Sequence, residues 1–420
     1  MPVFILAVGF SPHSAVPLSK AMVFGGAVAN TMMNWSKRHP AADRPLIDYD
    51  VALALEPMTI AGTTIGVLLN VLLPEWLIVV LLCILLFLTT LRTVSTGRKV
   101  YLIEHEEGIA HGSVVNDDEI YAEAVTGAPG PDESWDDASR AYTGRDIDEP
   151  LSSDEESSYA AGERGRLISS APGASHTPMA ALEIEEVESR TPWGKIMLLL
   201  LVWFVANGLT LLRGGHGVGS IVGIPGCGVI YWAIFVFVIV AMTALTFSIG
   251  LYLQRTHRAK VTHGFKFCTG DVEWTPFQAF FWPMLSLFAG LAAGLFGIGG
   301  GMIKGPLMLE MGILAQTTAA TAAFMILFTS SSTVVQFVIM GTMQLDYALW
   351  YIVVGFIATV IGQLAINHLV HKYRKTSYII FAIAIVIGLS CILLAVVGGL
   401  NIAEDVRANK HLGFDTRICT

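Results

Sequence analysis

The chain of 420 residues is 54% hydrophobic and only 14% charged, with a formal net charge of −9. Soluble globular proteins are about 45–50% apolar and about 25% charged, so this composition excludes a soluble globular protein and predicts one that spans a lipid bilayer. The negative charge is concentrated in residues 101–190, which hold 22 Asp and Glu, five Arg and no Lys; the rest of the chain is basic, and no basic patch with interleaved aromatic residues points to nucleic acid.

Apolar segments of the length needed to cross a bilayer recur along the chain. The first half has predicted spans at Ala15–Trp35, Val51–Leu73 and Trp76–Leu91, after a short apolar piece at Pro2–Val8. Residues from Arg92 to about Thr191 are rich in Asp, Glu, Ser and Gly, and this segment is predicted to be disordered because it cannot bury a core. The second half has predicted spans at Trp193–Leu212, Val229–Gln254, Pro276–Phe296, Thr317–Met340, Tyr347–Leu369 and Tyr378–Val397, and a shorter piece at Met302–Met311.

The two halves show signs of a duplication. Gly9-Phe10-Ser11-Pro12 aligns with Gly312-Ile313-Leu314-Ala315 at a constant offset of 303, and Asp48-Tyr49 aligns with Asp346-Tyr347. The counterpart of Pro276–Gly301 would fall before residue 1, which suggests either a truncated first repeat or a true asymmetry. We therefore predict an incomplete first repeat (1–95), an acidic loop (96–191), a second repeat with additional helices (192–400) and a polar tail (401–420).

Basic residues indicate how the chain is oriented. They cluster in four places: Lys37, Arg38 and Arg44; Arg92, Arg98 and Lys99; Arg255, Arg258, Lys260 and Lys266; and Lys372, Arg374 and Lys375. Counting spans places the first three on one side, which the positive-inside rule makes cytoplasmic together with the acidic loop. With the fourth cluster there too, the C-terminus is outside or lumenal. The two repeats are then inverted, and Met302–Met311 must belong to a broken or re-entrant helix.

The fold expected from these patterns is an all-α membrane protein, a polytopic bundle of two inverted repeats with glycine-broken helices. Its most informative motif lies between Gly294 and Pro306, where Gly297 and the run Gly299, Gly300 and Gly301 interrupt an apolar segment ahead of Lys304. Consecutive glycines unwind a helix, and Pro306 favours a new helix start that would offer backbone donors to an anion. The alternative reading is a close helix crossing.

Several stretches carry a resemblance to a known family. The longest is Gly297-Ile298-Gly299-Gly300-Gly301-Met302-Ile303-Lys304-Gly305-Pro306-Leu307-Met308-Leu309-Glu310-Met311-Gly312, and others are Leu18–Gly26, Arg44–Asp50, Leu55-Glu56-Pro57, Leu212–Gly215 and Leu327–Ser332. Together they resemble the TauE/SafE sulfite-exporter-like family, in its plant-type branch. The resemblance implies a secondary carrier of sulfur-containing anions such as sulfite or organosulfonates. The chain departs from the family in lacking the first-half glycine signature and in having Lys304 where relatives look apolar.

Ionisable and hydroxyl side chains inside apolar spans are the candidate site residues, because intramembrane charges usually face a cavity and have partners. Lys304 could bind an anion or snorkel to the interface, and Ser19 with Lys20 offers a similar choice. Glu56 and Glu310 are candidates for ion coupling, although Glu56 could also lie near the membrane edge. Ser330, Ser331 and Ser332 form a hydroxyl cluster with Thr329 and Thr333, and this cluster could line a substrate site or bond within and between helices.

The favoured function is a secondary transporter of a small anion by alternating access in the plasma membrane or an endomembrane. The alternative is a non-transporting receptor or scaffold that acts through the acidic loop, in which Ser152 and Ser153 form a candidate kinase site. We expect no enzyme, because HExxH, GxSxG and paired His ligands are absent from the sequence, and no cofactor or metal. The sequence leaves the oligomeric state open.

Overall fold

The computed structural model describes residues 12–39, 42–110, 189–215, 219–220, 222–224, 228–263, 267–268, 270–298, 300–373 and 377–407. Within these ranges the regular structure is helical and contains no β-strand, which confirms the all-α class. The described helices are α1 Pro12–Asn34, α2 Tyr49–Leu72, α3 Glu75–Ala110, α4 Trp193–Arg213, α5 Val229–Thr262, α6 Gln278–Phe296, α7 Gly301–Glu310, α8 Ala315–Ile339, α9 Leu345–Tyr373 and α10 Ser377–Arg407.

Seven of the described helices are long and apolar enough to cross a membrane, namely α2 to α6, α8 and α9. This number makes the chain a multi-pass integral membrane protein. The predicted span at Ala15–Trp35 corresponds to α1, which is not among the seven.

The helix α3 is longer than predicted, because it continues to Ala110 through part of the segment expected to be disordered. Tyr101 lies in this extension and packs against Phe381 of α10, with 6.5 Å between the ring centroids. The prediction of disorder was therefore wrong for residues 92–110. It rested on the polar composition and did not foresee a neighbouring helix.

Helix α2 lies at the centre of the bundle. Of its apolar 18-residue stretch, 94% is buried inside the protein, whereas only 11% of the corresponding stretch of α9 is buried. Its polar side chains Glu56, Thr59, Thr63 and Asn70 are all buried by protein. A membrane helix can carry this many polar groups when other helices, rather than lipid, surround them.

Small residues allow α6 to lie very close to α2. Gly62 of α2 and Gly290 of α6 meet the opposing backbone, and a Cβ atom added at Gly290 would lie only 2.9 Å from the Cα atom of Thr59. Ser286 donates a hydrogen bond to the Leu55 carbonyl oxygen at 3.0 Å. Close approach through small residues is a common means of helix association in membranes, where apolar burial contributes little.

Ion pairs and loop contacts gather several helix ends at one side of the bundle, which we call the basic face. There Arg44 pairs with Asp271, and Lys195 contacts Asp50 at 2.7 Å. The backbone N–H of Asp48 donates to Thr321 at 2.9 Å. Helices α2, α4 and α8 therefore begin at the basic face and run away from it.

Helices α1 and α9 run in the other direction and lie side by side. Gly355 approaches the backbone of Met22, and further along the pair Gln363 donates to Asn30. The duplication aligns α1 with α8 and α2 with α9, and in each aligned pair the two helices run in opposite directions. An inverted repeat requires these directions; the duplication itself stays a prediction.

Helix α7 forms the return arm of a re-entrant hairpin. Its partner α6 runs alongside α2 away from the basic face and ends at Gly297, whose φ of 66° and ψ of 13° are left-handed. Leu307 and Met308 of α7 then pack in a cluster with Leu46 and Val272 near the basic face. The predicted broken helix is present, but α7 begins at Gly301 rather than at Pro306, because the N–H of Lys304 already bonds to the Gly300 carbonyl oxygen.

We predict that Gly290→Val destabilises the protein strongly, because the new side chain would force α6 away from Thr59. Overpacking of this kind typically costs about 1–3 kcal/mol, and a collision with backbone belongs to the upper part of that range. The measurement is the melting temperature of the purified protein, followed by size-exclusion chromatography after heating. Gly208→Val in α4 is the matched control, because Gly208 has no atom within 4 Å of an added Cβ. Equal melting temperatures for the two variants would contradict the close crossing.

Candidate functional site

Three side chains from distant parts of the sequence form a buried cluster, which we call the triad: Glu56 of α2, Lys304 of α7 and Thr329 of α8. The Lys304 Nζ atom donates to Glu56 Oε2 at 2.7 Å and to Thr329 Oγ1 at 3.1 Å. The Thr329 hydroxyl donates to Glu56 Oε1 at 2.6 Å. The Lys304 and Glu56 side chains are 0% and 1% exposed, so a fully desolvated ion pair lies inside the bundle.

Local sequence positions each member of the triad. Glu56 is the eighth residue of α2, about 10 Å along the helix axis from Tyr49, and directly precedes Pro57, whose missing N–H leaves the Leu53 carbonyl without its helical donor. Lys304 lies in the first turn of α7, so its direction depends on the reversal of the chain at the preceding glycines. That reversal brings α7 back alongside α8, and the ammonium group of Lys304 then reaches Glu56 on α2.

The predicted pair Ser19 and Lys20 attaches α1 to the junction between α6 and α7 at Gly297–Gly301, which we call the glycine break. Lys20 Nζ donates to the Ile298 carbonyl oxygen at 2.9 Å, and Ser19 Oγ donates to the Gly297 carbonyl oxygen at 3.1 Å. Glycine is required at position 297 for two reasons, its left-handed φ and the approach of Val16, whose Cα atom would lie 3.0 Å from an added Cβ atom. An ordinary helix would have kept both carbonyls for its own hydrogen bonds.

The site carries an excess of positive charge when its groups are ionised. Lys20 and Lys304 are both 0% exposed, and Glu56 is the carboxylate that interacts with both of them. Two ammonium groups thus face one carboxylate in a region shielded from water. A small anion would balance this charge, and Glu56 could instead take up a proton. The arrangement is therefore suited to anion binding and to proton exchange.

The hydroxyl groups of α8 divide between two roles. Ser330 bonds to its own helix, at the Ile326 carbonyl oxygen. Ser331 and Ser332 accept hydrogen bonds from Trp203 and Asn207 of α4, each at 2.9 Å, and so join two helices. Only Thr329 enters the triad; the sequence placed it in the hydroxyl cluster but did not single it out, because nothing local distinguishes it from its neighbours.

The remaining predicted site residues lie elsewhere or outside the described residues. Glu310 is at the far end of α7, where its carboxylate pairs with Arg92 and not with the triad. Gly300 and Gly301 belong to the glycine break as expected, while Gly299 is not described. Ser152 and Ser153 also fall outside the described ranges.

The sequence analysis missed several buried polar side chains of α2 and α8. Gln336 of α8 donates to Thr64 of α2 at 3.1 Å, and Asn70 of α2 donates to the Leu295 carbonyl oxygen at 2.8 Å. The sequence signal that could have revealed them is the occurrence of isolated amides and hydroxyls inside apolar spans. These hydrogen bonds connect α2 to α8 and to α6.

A cavity of about 170 Å³ opens at the basic face below α2, lined by Arg44, Lys195 and Thr317 among others. Burial and the nearby Arg44 guanidinium lower the pKa of His39, and burial together with the Asp50 carboxylate raises the pKa of Asp48. Within the described ranges, no group of three or more His, Cys, Asp or Glu residues is arranged to hold a metal ion.

Comparison with known proteins gives consistent results. The model of the family described as "Sulfite exporter TauE/SafE" matches residues 1–130 and 194–393. Over 416 residues the chain is 30% identical to sulfite exporter TauE/SafE family protein 5 of Arabidopsis thaliana, covering 99% of this chain and 81% of the relative. It is 29% identical to family protein 3 and 27% identical to family protein 1 of the same plant, over 99% of this chain and 76% and 81% of those relatives.

No solved structure matches the chain. The family match covers both helical parts described above, including the glycine break and all three members of the triad. The chain therefore belongs to the sulfite exporter TauE/SafE family of membrane transport proteins.

Proposed function

We propose that the protein is a secondary transporter that moves a small sulfur-containing oxyanion, such as sulfite or an organosulfonate, by alternating access. The observation that carries the proposal is the buried Lys304–Glu56 pair beside the glycine break. Replacing a buried ion pair by apolar side chains often leaves stability unchanged or improves it, so such a pair is weak evidence for a structural role. Ionisable groups inside a membrane protein are by default candidates for a transport pathway.

In this proposal Lys304 is the anion ligand and Glu56 is its internal counter-ion. An oxyanion can reach the Lys304 ammonium only when Glu56 withdraws or becomes protonated, since the carboxylate already accepts its hydrogen bond. Thr329 can then turn its hydroxyl from Glu56 to the anion. Lys20 lies beside the glycine break, where its ammonium group would supply a second positive charge.

Protonation of Glu56 couples a proton to the anion. With Glu56 ionised, the two lysines leave one net positive charge, which a monovalent anion neutralises. With Glu56 protonated, two positive charges remain, which suits a divalent anion. Either way the occupied site is neutral, which is the least costly state for a group of charges removed from water.

The bundle offers elements that could rearrange around this site. The re-entrant hairpin α6–α7 and the helix α1 meet at the glycine break through hydrogen bonds to carbonyl oxygens. The opposite directions of α1 and α8 support an inverted repeat, and rocking of such repeats about a central site is a common transport mechanism. We assign the basic face to the cytoplasm by the positive-inside rule, which leaves the C-terminus outside or lumenal.

We predict that Lys304→Met abolishes sulfite transport. Removing Lys304 alone leaves Glu56 buried without its ion-pair partner, which costs about 3–5 kcal/mol, so low activity could simply reflect poor folding. The double variant K304M/E56Q removes both charges and is expected to fold well, yet still to transport at least about 100-fold more slowly than the wild type, a loss of about 2.7 kcal/mol in transition-state stabilisation.

The measurement is the initial rate of sulfite uptake into proteoliposomes, normalised to folded protein. Lys37→Met is the matched control, since Lys37 is exposed and lies outside the triad; it should transport at the wild-type rate. Normal transport by the double variant would refute the role given to Lys304.

We predict that Glu56→Gln uncouples anion movement from protons. The neutral amide cannot take up or release a proton, but it leaves Lys304 available to the anion. An imposed pH gradient should drive sulfite accumulation in vesicles with the wild-type protein, whereas E56Q vesicles should only equilibrate sulfite. The readout is the steady-state ratio of internal to external sulfite. Undiminished accumulation by E56Q would assign the coupling to another group.

A further inference from the structure

Besides Lys304 and Lys20, another buried cation lies far from the triad, at the end of α4 opposite to the basic face. Arg213 is only 3% exposed, and its guanidinium carbon lies 4.6 Å from the ring centroid of Tyr231 and 5.1 Å from that of Phe235. The Nε–H group is buried and has no acceptor among the residues that the structure describes. Nothing in the proposed chemistry of the triad uses this residue.

No carboxylate in the described part of the chain pairs with Arg213, which is unusual for a buried guanidinium. The segments on either side of Arg213 offer no carboxylate either, because the sequence holds no Asp or Glu between Glu188 and Asp271. The two aromatic rings and the C-terminal end of α4 each stabilise a cation there. Neither supplies an acceptor for Nε–H, so the group is prepared for an anionic partner from outside the protein.

The guanidinium has the geometry to recognise an oxyanion. Aromatic rings contact the flat face of a guanidinium and leave its edge, which bears the N–H donors, for other partners. Those donors form a fixed fork that matches two oxygen atoms of a carboxylate, phosphate, sulfite or sulfonate group. A lysine at this position would provide charge without the fork.

Polar side chains connect Arg213 with the level of the triad. Trp203, Asn207 and Thr210 precede it at intervals of three or four residues and so share one face of α4. The first two of them donate to Ser331 and Ser332 of α8, which follow Thr329 of the triad. We call Trp203, Asn207, Thr210, Ser331 and Ser332 the polar seam. It begins at Trp203 and leads along α4 toward Arg213, which lies about 15 Å from Trp203 along the helix axis.

We propose that Arg213 is a second oxyanion-binding residue, which receives the transported anion at the face opposite to the basic face and delivers it along the polar seam to Lys304. This inference rests on the proposed transport function and adds a specificity-determining residue to it. Arg213 selects the anion at one membrane face, whereas Lys304 binds it inside the bundle.

The test compares Arg213→Gln with Arg213→Lys in proteoliposomes of phosphatidylcholine. For R213Q we expect the sulfite concentration giving half-maximal uptake to rise at least about tenfold, as for the loss of a charge-assisted hydrogen bond, with the maximal rate changed less than about twofold. The sulfite concentration giving half-maximal uptake by R213K should lie between the values for R213Q and the wild type. Arg258→Gln removes the same charge from an exposed position at the other end of α5 and should behave as wild type.

A second readout separates this inference from the transport proposal. Sulfite should raise the melting temperature of the purified wild-type protein, and R213Q should need about tenfold more sulfite for the same rise. If the wild type binds sulfite through Arg213 but does not transport it, the transport proposal fails while the Arg213 site stands. If R213Q and the wild type need the same sulfite concentration for half of the effect in both experiments, the assignment of an anion site to Arg213 is overturned.

Two further outcomes would also overturn it. If R213Q only lowers the melting temperature without sulfite and keeps a normal half-saturating concentration, Arg213 is a structural residue. If R213Q differs from the wild type only when phosphatidylglycerol is added to the vesicles, the guanidinium binds a lipid phosphate and not the transported anion.

Discussion

The pairing of Lys304 with Glu56 is the constraint that the surrounding architecture has to satisfy. Burying either charge without the other would be costly, since it would take a charge out of water with no opposite charge beside it. The chain meets this constraint by reversing direction at the glycines, so that Lys304 in the first turn of α7 comes within reach of Glu56 on α2. The glycine break, the re-entrant hairpin and the central position of α2 together make this pairing possible.

The small residues of α2 and α6 also serve to keep charged and polar groups away from lipid. A helix that carries Glu56, several threonines and Asn70 must be covered by protein on nearly all sides, and close approach of neighbouring backbones achieves that cover. Side chains of ordinary size would hold α6 further from α2 and leave these polar groups closer to lipid. Packing and electrostatics therefore depend on each other here.

Sequence patterns predicted the apolar spans, the interruption at Gly297–Gly301 and the candidates Glu56, Lys304, Ser19 and Lys20, because composition and local breaks carry that information. They could not predict that Lys304 contacts Glu56, which lies 248 residues away. They also did not separate Thr329 from the adjacent serines or detect the isolated Arg213, since the partners of a side chain depend on which helices become neighbours. The extension of α3 to Ala110 was missed for the same reason.

Mutations on α1 and mutations at the glycine break have unequal effects on the hydrogen bonds that join them. Ser19 and Lys20 donate to main-chain carbonyl oxygens of residues 297 and 298, and these acceptors exist whatever side chains those positions carry. At position 298 a substitution can alter packing but cannot delete the acceptor, and at position 297 a side chain would strain the left-handed backbone and collide with Val16 but would not remove the carbonyl oxygen. The donors on α1 have no such protection, because a single nucleotide change can remove either of them. Loss of this attachment through natural variation should therefore arise mainly in α1.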